Sequence, residues 1–501
     1  MNAIDFIIIA TYLAGIVLFG ISFYRKERTS ADYSTGSGTL PAWVIGLSIF
    51  ATFVSSISFL ALPGIAFLSD WNAYVFSLSI PLAMIMAIKF FIPLYRRVGS
   101  PSAYTYLEKR FGYWARAYVA SFWLLTQVMR VAVILYLLAL PMYVILGWDM
   151  RIIIILTGLS VMVYSIMGGI RAVIWTDAIQ AIILLSGAIV TLGILMFSLP
   201  EGPSQFFEVA TRHDKFSLGS FGISLTESTF WVVLVYGIFI NLQNFGIDQN
   251  FIQRYMSARN EREAISSALG GGMLYVPASL LFFMTGTGLF VYYTVFPVLL
   301  PDEFRDSGMS DSVFPYFIVH ALPAGVTGLL VASIFAAGMS TISTSLNSGA
   351  TVILNDFYKR YYRSANEKQS VAVLYKASAL ICMLGILISF LIIRVESALQ
   401  IWWNLAGIFS GGMLGLFLLG YFAKKVRNVP AATGVVTGLL VIIWMSLSPV
   451  YFRGDLENFQ NPLHNYMTIV IGTLVIFFTG FLGSVYASRK KTKRPDMSEI
   501  S

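Results

Sequence analysis

Charged residues are scarce in this chain of 501 residues. Asp, Glu, Lys and Arg make up 12% of it, against roughly 25% in an ordinary soluble protein. Hydrophobic residues reach 57%, and the mean hydropathy is +0.76. This composition excludes an ordinary soluble domain and predicts a polytopic membrane protein.

Cysteine and histidine are also rare, which limits the chemistry that the chain can perform. The single cysteine, Cys382, excludes an intramolecular disulfide and any cysteine-based metal site. The three histidines, His213, His320 and His464, are scattered, which argues against a histidine-ligated metal. An HExxH motif and paired catalytic aspartates are absent, which argues against a membrane-embedded enzyme. No repeated filter segment favours a channel.

Long apolar runs make up most of the chain, and a run of roughly 17 or more residues can cross the hydrocarbon core as a helix. The sequence predicts an all-α protein with thirteen such helices, at residues 3–23, 42–68, 72–95, 118–146, 152–168, 172–199, 229–247, 266–295, 313–350, 371–393, 398–422, 429–449 and 466–487. The N-terminal MNAIDF lacks the basic start of a signal peptide, so we expect the first run to be retained.

The basic residues lie mainly in alternate loops. With the N-terminus outside, the cytoplasmic segments hold 24 of the 33 Lys and Arg residues, and the outer segments hold six. Because cytoplasmic loops collect Lys and Arg, this bias predicts a cell-membrane protein with its N-terminus outside and its C-terminus inside. The positive net charge is then explained by the membrane surface rather than by nucleic acid.

Transporters are often built from two repeats of helices that are inverted relative to one another. Five helices per repeat would invert automatically, because an odd number of crossings starts the second repeat on the opposite side. The predicted segments are an extra N-terminal helix and cytoplasmic loop (1–41), the first repeat (42–199), an outer loop with a short helix (200–228), the second repeat (229–422), two C-terminal helices (423–488) and a basic cytoplasmic tail (489–501).

The segment STISTSLNS, from Ser340 to Ser348, is rich in hydroxyl groups for a membrane helix. At about 100° per residue, Ser340, Ser343, Thr344 and Asn347 fall on one helix face. Their oxygens are hard, neutral ligands that suit a small alkali or alkaline-earth cation. The residues alone leave open whether this face binds a cation or lets two helices pack closely.

Two predicted spans at matching positions in the repeats contain residues that interrupt helices. The run at 42–68 contains Ser55, Ser56, Ser58, Pro63 and Gly64, and the run at 229–247 contains Gly237, Asn241, Gln243, Asn244 and Gly246. An unwound turn in each would direct backbone carbonyls toward a binding site near the membrane midplane. The alternative is an ordinary kink at Pro or Gly.

Two ionisable side chains lie inside predicted spans. Arg130 is near the middle of the run at 118–146, where a cation should face a cavity or a partner. Its planar guanidinium suits a carboxylate, and the alternative is a structural arginine that caps helix carbonyls. Asp177 either lies at the interface near a helix end or completes a cation site with hydroxyls of another helix.

Three stretches carry a resemblance to a known family: YSIMGGIRAVIWTDAIQ from Tyr164, GIDQNFIQRYMSA from Gly246 and FAAGMSTISTSLNS from Phe335. Together with the helix count, they make the chain similar to the sodium/solute symporter family over essentially its whole length. The resemblance implies an inverted five-plus-five helix core with broken first helices, alternating access and coupling to sodium.

The resemblance also implies which residues bind sodium. The site shared by the family would use the carbonyls of Ala51, Val54 and Ala337 and the hydroxyls of Ser340 and Thr341. A second site, present in some members, would map to Asp177, Ser340, Ser343 and Thr344. One sodium ion is therefore expected, and a second has all its ligands available.

Within that family, SIFATFVSSISF from Ser48 and MRVAVILYL from Met129 are similar to the sialic acid branch. The resemblance implies that Arg130 binds the carboxylate of a sugar acid. The other predicted substrate-binding residues are Ser55, Ser56, Ser58, Ser77, Phe53 and Gln243. Phe53 and Ser77 depart from the branch, which has a small hydroxyl residue at the first position and can have glutamine at the second.

The expected function is sodium-coupled import of a sialic acid, with no nucleic acid and no obligate protein partner. The alternative is a sodium symporter for proline, another small carboxylate or a sugar, although Arg130 argues against a neutral sugar.

Overall fold

The computed structural model describes residues 2–24, 29–305, 310–362, 364–393 and 412–492, and these residues are almost entirely helical. The helices up to residue 212 are α1 (Ala3–Ile21), α2 (Ser30–Thr35), α3 (Ala42–Phe53), α4 (Ser56–Leu68), α5 (Val75–Leu78), α6 (Ile80–Met86), α7 (Ile92–Val98), α8 (Thr105–Phe111), α9 (Tyr113–Leu146), α10 (Met150–Phe197) and α11 (Pro203–Arg212). The short helix predicted between residues 200 and 228 is present as α11, and the outer position of this loop stays a prediction.

The remaining helices are α12 (Phe230–Ile247), α13 (Gln249–Ser257), α14 (Glu261–Val295), α15 (Ser310–His320), α16 (Val326–Val352), α17 (Lys359–Tyr361), α18 (Glu367–Ile392), α19 (Gly412–Phe422), α20 (Asn428–Tyr451) and α21 (Met467–Thr492). The all-α membrane fold is confirmed.

Within the described residues, ten helical segments are long and apolar enough to cross a membrane, and the bent pair α3 and α4 makes eleven. One of the ten, α10, has 48 residues, which as a single straight helix would measure roughly 72 Å, more than twice the thickness of the hydrocarbon core. It is broken at Gly169, which divides it where the sequence predicts two spans. The span predicted at 398–422 lies mostly outside the described residues, so the count of thirteen stays a prediction.

Both predicted interruptions are present, although the second lies later than expected. The axes on either side of the first break differ by 54°. In the second pair, α12 continues through Gly237 and Asn241, and the chain breaks at Asp248. The Asp248 side chain accepts a hydrogen bond from the Asn250 backbone and thereby caps α13.

The described residues cluster into two compact units. The first is bounded by residues 1–103, 127–223 and 228–399, and the second by residues 104–126, 224–227 and 400–501. In the first unit, α16 packs against α1, α3, α4, α10 and α18, and residues 330–352 are all buried. Asp5 Oδ1 accepts hydrogen bonds from the backbone N–H groups of Gly325 and Gly328, which anchors the start of α16. In the second unit, α20 packs along α21.

Candidate ion and substrate site

The break between α3 and α4 exposes backbone carbonyls to side chains. Val54 and Ser55 both have extended backbone conformations, with ψ of 120° and 172°. A helix that ends in this way leaves the carbonyls of its last turn without the regular partners four residues on. Ala51 and Thr52, in that last turn, accept hydrogen bonds from two different side chains of the first unit.

Ser340 of α16 contacts the first of these carbonyls. Its Oγ lies 3.0 Å from the Ala51 oxygen and 3.1 Å from the Ala337 oxygen, and the Thr341 Oγ1 lies 3.1 Å from the same Ala337 oxygen. Four of the five predicted ligands of the shared site therefore meet, and Val54 lies at the break beside them. Hydroxyl and carbonyl oxygens form a neutral, hard donor set that fits an alkali cation.

Arg130 of α9 contacts the second carbonyl, since its Nη2 donates to the Thr52 oxygen at 3.1 Å. This is the carbonyl-capping role that the sequence left as the alternative to carboxylate binding. A guanidinium has five N–H donors, so one contact with the backbone does not exhaust it. The roles are compatible, because the capping contact holds Arg130 beside the break.

Asp177 of α10 lies in a buried polar cluster with Arg254 of α13. Its Oδ2 accepts from Ser48 Oγ at 2.6 Å and from Arg254 Nη2 at 2.7 Å, and both charged side chains have 0% exposure. Arg254 Nη2 also donates to Thr344 Oγ1 at 2.6 Å. Asp177 Oδ1 is buried and has no hydrogen-bond partner among the described residues.

The contacts in this cluster differ from those expected at the predicted second sodium site. Asp177 and Thr344, two of its predicted ligands, are bridged by an arginine rather than facing only hydroxyls. Ser343 Oγ donates to the Ser340 carbonyl at 3.0 Å, on the same helix. Asp177 Oδ1 has no hydrogen-bond partner among the described residues and is the acceptor open to a cation, whereas the Arg254 guanidinium, which balances the carboxylate charge, weakens that attraction.

Arg254 and its neighbours are site residues that the sequence analysis missed. Loop charge places Arg254 in a predicted cytoplasmic segment after the run at 229–247, yet its side chain is completely buried. The signal lay in the spacing of Gln249, Asn250, Gln253 and Arg254, which places polar side chains along one side of a helix directly after a broken span. Such a pattern can indicate a buried polar face as well as a loop.

Further polar contacts join α9, α13 and α16. Gln127 Oε1 accepts from Asn250 Nδ2 at 3.0 Å and from Ser345 Oγ at 2.9 Å. Gln253 Nε2 donates to Asn347 Oδ1 at 2.7 Å. The polar face of α16 therefore packs against neighbouring helices and also supplies oxygens of the predicted ion site. Helix packing and cation binding, the two alternatives for STISTSLNS, apply to different residues of the segment.

Comparison with known proteins agrees with this geometry. The model of the sodium:solute symporter family matches residues 33–438. The chain belongs to this family. The symporter is 32% identical over 485 residues to the sodium/sialic acid symporter NanT of Aliivibrio fischeri, covering 96% of this chain and 93% of that protein. It is 34% identical over 480 residues to the sodium/sialic acid symporter SiaT of Proteus mirabilis, covering 94% of each.

Solved structures agree with the fold of the symporter. A Na⁺-coupled sialic acid symporter in a substrate-bound, outward-open state matches with a TM-score of 0.89 and 31% identity, over 97% of this chain and 98% of that one. Mhp1, a nucleobase-cation symporter, matches with a TM-score of 0.58 at 13% identity, which supports the fold alone. The family model and the sialic acid symporter relatives, rather than Mhp1, show that the chain belongs to a transporter family.

The predicted substrate serines of the symporter lie at the start of α4. Ser55 forms the N-cap and is buried, and the buried Ser56 Oγ has no hydrogen-bond partner among the described residues. Ser58 is half-buried and interacts with the Tyr275 side chain. Ser77 Oγ donates to Ser279 Oγ at 2.7 Å, so its hydroxyl is already engaged.

Phe53 occupies an aromatic cluster immediately before the break. Its ring stacks on Phe245 with centroids 5.1 Å apart and meets Tyr275 edge-on at 4.5 Å. Gln243, two residues before Phe245 on α12, is buried, and its Oε1 has no partner among the described residues. Phe53 therefore packs against aromatic rings beside the break and does not serve as a hydrogen-bonding group.

Proposed function

We propose that this symporter imports a sialic acid, or a closely similar sugar acid, together with sodium across the cell membrane, with its N-terminus outside and its C-terminus in the cytoplasm. The observation that carries the proposal is that two side chains donate hydrogen bonds to backbone carbonyls of the same turn, at the break between α3 and α4. Ser340 holds the Ala51 carbonyl and Arg130 holds the Thr52 carbonyl, so the predicted ion site and the predicted carboxylate site meet at consecutive residues.

Coupling follows from that shared turn. A sodium ion that takes the Ala51 carbonyl and the Ser340 hydroxyl as ligands replaces the hydrogen bond between them and fixes α16 against the end of α3. The neighbouring Thr52 carbonyl is fixed with it, and this positions Arg130 for the substrate carboxylate. Ion binding thereby raises substrate affinity, and by linkage the substrate raises sodium affinity equally.

The second sodium ion is proposed at Asp177, with Ser340, Ser343 and Thr344. The orphaned Asp177 Oδ1 supports this placement. Arg254 would have to release Thr344 before that hydroxyl could face the ion, so the second site is expected to fill together with a movement of the Arg254 side chain. Rocking of the repeats then releases ions and substrate on the cytoplasmic side.

Arg130→Ala is the test of the substrate assignment. In proteoliposomes with an inward sodium gradient, we expect sialic acid affinity to fall by at least about tenfold, the loss of one charge-assisted hydrogen bond of roughly 1.5–3 kcal/mol. Arg130→Lys should recover little, because lysine lacks the bidentate fork. Lys368→Ala, at an exposed position on α18, is the control.

Uptake and affinity that remain intact in Arg130→Ala would contradict the sugar-acid assignment. A sodium-dependent binding screen over sialic acids, proline, small monocarboxylates and neutral sugars then identifies the substrate. If proline or a monocarboxylate binds more tightly than any sialic acid, the alternative symporter function is the correct one.

A further inference from the structure

A shallow basic cleft, broadly open to solvent and about 550 Å³ in volume, lies in the second unit, where α19 is followed by α20. Four of its lining residues are basic, namely Arg110, Lys424, Lys425 and Arg427, and none is acidic. Like charges gathered in one small concavity repel one another unless an anion lies among them. The composition of the cleft therefore suits an anionic ligand.

Arg110 is held in place at one wall of the cleft. Its Nε donates to the Gly420 carbonyl at 3.2 Å, and its Nη2 donates to the Ala423 carbonyl at 2.8 Å. These contacts are with neutral backbone oxygens, so they orient the guanidinium without neutralising it. Lys424, Lys425 and Arg427 are exposed in the loop between the two helices.

The first turn of α20 forms another side of the cleft. Arg427 is the N-cap residue, and its side chain makes no capping hydrogen bond. The first N–H groups of a helix have no partners within the helix, and the helix dipole favours negative charge there. Asn428 and Val429, the first two residues of α20, line the cleft beside the cations.

An apolar stripe leads away from this cleft along α20. Val429, Val436, Leu440, Ile443 and Leu447 have exposures of 77%, 57%, 63%, 41% and 38%. Their spacing of 7, 4, 3 and 4 residues places them on one side of the helix. On a spanning helix such a stripe faces the acyl chains of the bilayer, so a phosphate attached to acyl chains fits beside it, whereas a free phosphate ion would not contact it.

We propose that this cleft binds the phosphate group of an anionic phospholipid, with the acyl chains lying along the stripe on α20. Lys424 and Lys425 neutralise the head group, and Arg110 supplies a fixed donor. The backbone N–H groups of Asn428 and Val429 are the donors available at the start of α20, since Pro430 has none. The basic loop lies on the side proposed to be cytoplasmic, where anionic lipids attract such clusters. The site is separate from the ion and substrate residues.

Native mass spectrometry of the full chain in detergent tests this proposal. The protein is titrated with phosphatidylglycerol, with phosphatidylcholine and with inorganic phosphate, and Lys424→Gln/Lys425→Gln is compared with Lys368→Gln/Lys376→Gln, which removes two exposed lysines from α18. The removal of two basic side chains should weaken phosphatidylglycerol binding roughly 25-fold. The α18 variant should bind it like the parent protein.

A second variant, Arg427→Gln, should weaken binding about fivefold. Thermal unfolding in the absence of added lipid checks that the variants remain folded. Equal phosphatidylglycerol binding by the two double variants would overturn the site. Equal displacement of the lipid by inorganic phosphate and by further phosphatidylglycerol would overturn the assignment to a lipid.

Discussion

Arg254 and Asp177 each depend on the other, because both side chains are fully buried. A buried ion pair stabilises a fold little compared with apolar residues of the same shape, but the loss of one partner leaves an unpaired buried charge. The pair is therefore better explained by function than by stability. It joins α10 to α13 beside the hydroxyls of α16, where the second sodium ion is proposed to bind.

Asp177→Asn should lower the free energy of unfolding by about 3–5 kcal/mol, because Arg254 is left without a counter-charge. The double variant Asp177→Asn/Arg254→Gln should regain much of this loss, since no unpaired charge remains. Thermal unfolding in detergent measures both. Glu208→Gln, which breaks an exposed pair with Arg212, should cost less than about 1 kcal/mol. A double variant as unstable as Asp177→Asn alone would show that the two charges are not coupled.

Single residues also show which parts of the site could be predicted from the sequence. The Ser340 face was identified from helical spacing, because that signal is local. The contact between Asp177 and Arg254 spans 77 residues, and no local pattern specifies it. A basic residue in a polar segment normally marks a loop, so the local sequence around Arg254 does not predict that the residue is buried. Arg130 was recognised because it stands alone in a long apolar run, where a charge is expensive.

At the scale of helices, the division of α10 depends on one glycine. Gly169 has φ of 57° and ψ of −158°, a conformation open essentially to glycine alone. Residues on both sides of it are apolar, so hydropathy alone would allow a single long helix. The sequence indicated two spans because Gly168, Gly169 and Arg171 interrupt the apolar run, and the backbone conformation explains how the chain bends there.

Gly169→Ala should destabilise the protein by about 1–3 kcal/mol, because alanine is strained in that conformation. Gly193→Ala is the matched control on the same helix, since a Cβ there meets nothing within 4 Å and the backbone is helical. Thermal unfolding of the two variants provides the comparison. If Gly169→Ala were as stable as Gly193→Ala, the break would not require glycine.

The C-terminal end of α4 is capped by Lys215 from the loop at 200–228. Its Nζ donates to the carbonyls of Phe67 at 2.7 Å and Ser69 at 3.1 Å, and it lies 4.0 Å from the centre of the Phe290 ring. Burial lowers the pKa of Lys215 to about 8, while the nearby Asp70 opposes this shift. The lysine thus ties the loop to the second half of the broken span.

Stability should therefore rise with pH above about 8. The unfolded chain keeps the Lys215 proton up to the ordinary lysine value of 10.5, whereas the folded chain releases it near 8. Between these values the unfolded state binds more protons, so the free energy of unfolding increases with pH. Melting temperatures across this range should show a smaller increase in Lys215→Met. An equal increase in both proteins would exclude Lys215 as the source.

At the scale of the whole molecule, hydropathy predicted an all-α membrane protein, and helix-interrupting residues predicted two broken spans. Both features are present. These signals are strong because every crossing needs a long apolar run and every broken span needs helix-interrupting residues. The position of the second break was wrong by several residues, since the glycines and amides of α12 remain helical when neighbouring helices satisfy them. Asn241, for example, donates to the Phe76 carbonyl and to Ser79 Oγ.

The proposed stoichiometry makes transport sensitive to voltage. Two sodium ions and one sugar-acid monoanion carry one net positive charge inward, and each charge gains about 2.3 kcal/mol per 100 mV. An inside-negative potassium diffusion potential of about 100 mV should therefore raise accumulation in proteoliposomes roughly 40-fold. Asp177→Asn/Arg254→Gln, which removes the proposed second ion ligand without leaving a buried charge, should carry one sodium ion per anion and lose this dependence. If accumulation by the parent protein does not depend on the potential, the symporter carries only one sodium ion per anion. If accumulation by the double variant still depends on it, the second ion binds away from Asp177.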